Sequence, residues 1–75
     1  MLTEKQVKLL VEMDFECREP RFAGWEGYWV KGYGEHGGNG EIIAHESGNF
    51  NVRYHSSVSE EVQQDLAKLK EGGIQ

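Results

Sequence analysis

Residues 41 to 55 read EIIAHESGNFNVRYH. The runs EIIAHE and FNVRYH are rich in β-branched and aromatic residues, which favour strands. A glycine-containing break separates them, so a hairpin is predicted. Its register matters more than its existence, because a slip of one residue moves every side chain to the opposite face. A two-residue loop, Ser47-Gly48, sets Phe50 opposite His45 and Val52 opposite Ile43. Ile42 and Ala44 then share a face with Arg53 and His55. A three-residue loop, Ser47-Gly48-Asn49, pairs Glu46 with Phe50, Ala44 with Val52 and Ile42 with Tyr54. That register gathers Ile42, Ala44, Phe50, Val52 and Tyr54 on one face. It asks only for a left-handed residue at the end of the loop, which Asn49 tolerates. The three-residue loop is therefore the expectation.

Upstream, YWVKGY (28–33) also alternates, and GYGEHGGNGE (32–41) joins it to the hairpin with five of the chain's 10 glycines. The same loop spells G-x-G-x-x-G through Gly32, Gly34 and Gly37. A phosphate cradle of that type needs a helix after the glycines. Here a predicted strand follows, so the stretch reads as a hairpin loop with Asn39-Gly40 as its turn signal. Tyr28 and Val30 are expected to extend the apolar face of the hairpin.

Two helices flank the strands. Thr3 and Gln6 form a T-x-x-Q capping box, and Val7, Leu10 and Val11 follow at helical spacing, with Leu9 and Met13 widening the arc. Asp14 interrupts the arc, so the helix spans 3–13. The second helix opens at Ser57 with Glu60 as its box partner. It shows a narrow stripe of Val58, Val62, Leu66 and Leu69, and stops at Gly72. Between Asp14 and Glu26 the pattern is weak. Pro20 blocks a helix there; Phe15, Phe22 and Trp25 read as anchors, with room for a short edge strand near 21–25. The fold class is α+β in the order α-β-β-β-α, a three-stranded antiparallel meander with both helices packed on one face. Residues 1–75 form one domain.

The opposite sheet face would carry Trp29, Lys31 and Tyr33, then Glu41, Ile43 and His45, then Asn51, Arg53 and His55. Aromatic and arginine side chains anchor interfaces, so the partner-binding set is Trp29, Lys31, Tyr33, Ile43, His45, Arg53 and His55. Histidines titrate near neutrality, which would make such a contact pH-sensitive. Glu60 and Glu61 form a second, acidic surface at the start of the second helix. As an edge, YWVKGY offers pairing to a second copy of the chain.

Composition narrows the function classes. The 8 Lys and Arg face 13 Asp and Glu, for a net charge of −5. That opposes unaided binding to phosphate backbones. The element order is that of the double-stranded-RNA-binding domain, but that family grips phosphates with lysines at the start of its second helix. Here residues 56–61 read Ser-Ser-Val-Ser-Glu-Glu, so the charge is reversed and nucleic acid is disfavoured. The alternative is nucleic-acid or small-ligand binding through the aromatic and cationic sheet face, with single strands stacking on Trp29 and Tyr33 beside Lys31 and Arg53. His36, His45, His55 and Cys17 show no metal-ligand spacing, and no nucleophile elbow occurs. No metal, cofactor or catalytic residue is assigned. Cys17 is the single cysteine, which suits a reducing compartment. No stretch is apolar enough to span a bilayer, and the N-terminus does not read as a signal peptide, so a cytoplasmic protein is expected. The reading is a small non-enzymatic protein-interaction module with a basic or nucleic-acid-binding protein as partner. In size and acidity it resembles phage and mobile-element inhibitors of host nucleic-acid machinery.

Overall fold

The computed structural model describes residues 1–18, 27–35, 38, 40–54 and 60–75. Within them the order is α1 (Glu4–Glu12), β1 (Glu16–Arg18), β2 (Tyr28–Tyr33), β3 (Gly40–His45), β4 (Phe50–Tyr54) and α2 (Glu60–Glu71). The fold is α+β, with a four-stranded antiparallel sheet in the order β1-β2-β3-β4. The fourth strand is a correction. Glu16–Arg18 pairs with β2 and is exposed throughout, so no apolar alternation marks it. Only its hydrogen bonds make it a strand. The predicted strand near 21–25 lies outside the described residues, as does the Ser57 cap.

α1 begins as its sequence demands. The Thr3 N–H donates to Gln6 Oε1 at 2.9 Å, and the Gln6 N–H donates to Thr3 Oγ1 at 3.1 Å. The helix ends at Glu12, where Asp14 adopts φ 68 and the Phe15 N–H reaches back to the Leu10 carbonyl. α2 ends the same way: Gly73 has φ 85, and the Ile74 N–H bonds the Leu69 carbonyl. Both ends are Schellman motifs, closed by apolar contact between the residues that share the long bond. Those residues, Leu10 with Phe15 and Leu69 with Ile74, are all buried. The left-handed stop is thus Gly73, one residue beyond the expected Gly72. Gly72 is instead a point of close approach, where an added Cβ would meet Leu9 at 2.6 Å. Gln6 ties the two helices there, donating from Nε2 to the Gly72 carbonyl at 2.9 Å. Val11, expected inside the apolar arc, is 56% exposed.

The β3–β4 hairpin corrects the predicted register. Ala44 pairs with Phe50, Ile42 with Val52 and Gly40 with Tyr54. The Gly48 N–H donates to the His45 carbonyl, and the His45 N–H donates to the Asn49 carbonyl. The loop has three residues, as expected, but they are Glu46-Ser47-Gly48. The left-handed position falls on Gly48, at φ 94, rather than on Asn49. Glycine takes that conformation without the Cβ clash that an asparagine must bear. Moving the loop by one residue shifts the pairing by two, so the parity survives. Ile42, Ala44 and Phe50 still share a face.

The second correction concerns β2. Trp29 pairs with Ala44 and Lys31 with Ile42, so Trp29, Lys31 and Tyr33 lie on the buried face. Tyr28 and Val30 lie on the other. One hydrophobic cluster joins Leu10, Met13 and Phe15 to Tyr33, Ile42, Ala44, Val62, Leu69 and Ile74. No helix among the described residues is long and apolar enough to cross a membrane.

The two left-handed positions make opposite predictions. Asp14→Gly removes a Cβ clash and should raise stability by up to about 1 kcal/mol, or roughly 4–8 °C in Tm. Gly48→Ala has open space around its Cβ but an unsuitable φ, and should lower stability by about 1–2 kcal/mol. Thermal denaturation of both variants checks the pair; equal effects of one sign would contradict it.

Candidate functional site

The sheet has two unlike faces, and the predicted contact set is divided between them. Lys31 and Tyr33 point inward to Asp65 on α2. Lys31 Nζ donates to Asp65 Oδ2 at 2.8 Å, and the Tyr33 hydroxyl donates to the same oxygen at 2.6 Å. Lys31 also lies 5.4 Å from the centre of the Tyr33 ring, within cation–π range. Asp65 is 6% exposed and Tyr33 5%. Burial pushes the Asp65 carboxyl up. The hydrogen bonds from Lys31 and Tyr33, with the charges of Lys31 and Lys68, outweigh it and hold the group below its ordinary range. The cluster is a structural ion pair in which Asp65 Oδ2 accepts both hydrogen bonds beside its counter-charge, the pairing that a buried charge requires.

Trp29 is half-buried on the same face, packed against the core cluster. Its indole N–H is buried with no hydrogen-bond partner among the described residues, a cost of about 1–3 kcal/mol. Three of the predicted partner-binding residues, Trp29, Lys31 and Tyr33, therefore belong to the inner side.

The outer face keeps Ile43, His45 and Arg53 from the predicted set, and adds Tyr28 and Val30. Tyr28 pairs with His45, and Val30 with Ile43. All four are half-buried. Arg53 pairs with Glu41 across the strands, its Nη1 standing 3.7 Å from Glu41 Oε1. His45 is held by Asn51, whose amide nitrogen lies 3.0 Å from His45 Nε2. On β1, Arg18 pairs with its neighbour Glu16 at 3.1 Å. Arg18, Tyr28, Val30, Ile43 and Arg53, with Cys17 and Glu41, line an open groove of about 690 Å³. His55 lies outside the described residues. Glu60 and Glu61 are exposed in the first turn of α2. Among the described residues, no cluster of His, Cys, Asp or Glu gathers as metal ligands.

Asp65 was legible in the sequence but overlooked. It follows Val62 by three residues and precedes Leu69 by four, so helical spacing puts it within the apolar stripe. A carboxylate there demands a cation from the facing sheet, and Lys31, the one charged residue of YWVKGY, is the candidate. Tyr28 and Val30 were missed as surface residues because Lys31 in the opposite phase of YWVKGY reads as solvent-facing when its partner Asp65 is not considered.

No protein-family model, curated protein or solved structure matches this chain. The site must be read from its own chemistry.

Because the folded carboxyl of Asp65 is held below its unfolded value, its contribution is present above about pH 4 and is lost as pH falls through the folded value. Chemical denaturation should show this acid loss in the wild type and a smaller one in Asp65→Asn. At neutral pH Asp65→Asn should cost about 3 kcal/mol, because Lys31 is left half-buried without its counter-ion. The double variant Lys31→Met with Asp65→Leu should return to within about 1 kcal/mol of the wild type. A double variant as unstable as Asp65→Asn would contradict the ion-pair assignment.

Proposed function

We propose that this chain is a small, non-enzymatic protein-interaction module that binds through the outer face of its sheet. Both helices cover the inner face in this reading. The observation that carries it is the groove in which Tyr28, Val30 and Ile43 stay half-exposed between Arg18 and Arg53. Tyrosine and arginine are residue types that anchor protein interfaces, and Trp29 and Tyr33 are committed to the inner side. The mixed charge of the groove suits a polypeptide better than a polyanion. A nucleic-acid site would need several stacking aromatics beside cations; Trp29 and Tyr33 lie across the sheet from Arg53, which leaves Tyr28 as the one aromatic lining the groove among the described residues.

The net charge of −5, with Glu60 and Glu61 exposed on α2, favours a partner that is basic overall. Within that class the size and charge support a cytoplasmic phage or mobile-element inhibitor that occupies a host nucleic-acid-processing protein.

Affinity purification with the wild type, Ile43→Glu and the pair Glu60→Lys/Glu61→Lys separates the surfaces. A partner captured by the wild type should be lost with Ile43→Glu, while the α2 pair should slow its association without removing it. Loss with the α2 pair and retention with Ile43→Glu would move the contact to the helices. Retention of single-stranded oligonucleotides at low salt would instead favour nucleic acid.

A further inference from the structure

β4 lies at the edge of the sheet, and its backbone is only partly paired on the open side. The His45 N–H donates to the Asn49 carbonyl. Antiparallel pairing alternates, so Asn51 and Arg53 also turn their N–H and C=O groups toward β3. Phe50, Val52 and Tyr54 turn theirs outward. The Phe50 N–H meets the Gln75 carbonyl at 3.1 Å, and the Gln75 N–H returns to the Gly48 carbonyl at 3.0 Å. One residue bonded to both neighbours of Asn49 is the pattern of a parallel strand pair. Gln75 therefore already sits on this edge as a single strand residue. Beyond it, the N–H and C=O groups of Val52 and Tyr54 have no partner among the described residues.

The side chains along this open stretch say what would pair there. Val52 is an apolar residue 38% exposed on the inner side of the edge. Arg53 stands on the outer side, 72% exposed, with its Glu41 contact at 3.7 Å. That is long for a charge-assisted bond, which closes to about 2.7–2.9 Å. Arg53 is thus held loosely and is available to a second carboxylate. A second copy of the chain fits poorly. The twofold pairing that uses Val52 and Tyr54 of both copies places Arg53 directly against the same arginine of the copy, and like charges in that position repel. The strand proposed from sequence as a dimer edge, Tyr28–Tyr33, lies between β1 and β3, and β1 pairs with Tyr28, Trp29 and Val30 of it.

We propose that the open edge of β4 takes up an extended segment of the partner by strand addition, and that this segment alternates apolar residues beside Val52 with an acidic residue beside Arg53. Backbone bonds to Val52 and Tyr54 supply the affinity, and Arg53 supplies the selectivity. The proposal rests on the protein-interaction reading above and adds the mode of contact. It also places Arg53 where the groove of the outer face meets the edge, so one partner can occupy both.

Amide NMR with two short synthetic peptides tests it, one alternating valine with glutamate and the other valine with lysine. With the glutamate peptide, hydrogen exchange at the Val52 and Tyr54 amides should slow by at least about tenfold at saturation. The lysine peptide should bind this edge about tenfold more weakly. Val52→Pro should abolish the effect, since proline is tolerated on an edge strand whose N–H faces outward. If that variant does not fold, Arg53→Glu should reverse the preference to the lysine peptide. No protection at Val52 and Tyr54 with either peptide, or equal protection by both, overturns the proposal. Shifts confined to Tyr28, Val30 and Ile43 overturn the edge but keep the outer face as a contact surface. Protection that rises with protein concentration in the absence of peptide makes a second copy the occupant, and overturns it as well.

Discussion

The carboxylate of Asp65 is the constraint on which the arrangement of the sheet depends. A charge at 6% exposure is tolerable only with its counter-charge and hydrogen bonds in place. Its helix turns it inward because it lies between Val62 and Leu69 on the buried stripe. Lys31 and Tyr33 must then face the same side, and β2 can take only one phase. That phase carries Trp29 inward and sends Tyr28 and Val30 out. One aspartate thus decides which residues are core and which are surface on a strand whose pattern permits both. Replacing such a pair with apolar groups can leave stability unchanged, so what it contributes here is the choice between two otherwise comparable phases.

Around that centre the chain closes on itself by backbone bonds at the hairpin turn of β3 and β4. The Leu2 N–H donates to the Glu46 carbonyl, while Gln75 pairs beside Asn49. Gln6 serves both helices, completing the cap of α1 and bonding the last turn of α2. Two helix ends of the same type place Phe15 and Ile74 in the core. A chain of this length gains only about 3–5 kcal/mol from one core. Shared caps and a pinned hairpin hold its frame with few residues.

The surface left by this packing differs from the one the alternation alone suggests. The large aromatics and the central lysine are used inside, and the exposed sheet retains a tyrosine, two aliphatic residues and arginines at the margins. In the function proposed above, such a surface takes polypeptide rather than phosphate. The incomplete edge of β4 beside it keeps backbone groups without a partner among the described residues. Face and edge meet at Arg53, which touches Glu41 on one side and borders the unpaired strand edge on the other.

The sequence by itself determined the elements whose cause is local. The α1 capping box, the β2 limits, the two helices and the parity of β3 against β4 all follow from spacing and turn chemistry. The class α+β follows from their order. Tertiary structure decided the rest. β1 has three exposed residues, Glu16, Cys17 and Arg18, and exists only because β2 offers it an edge. The loop at Glu46-Ser47-Gly48 was chosen over its neighbour because the left-handed position falls at lower cost on glycine. The phase of β2 was decided by a salt bridge spanning 34 residues of chain. No local pattern can carry that information, since both phases of the strand hold large aromatic side chains and only the distant partner of Lys31 distinguishes them.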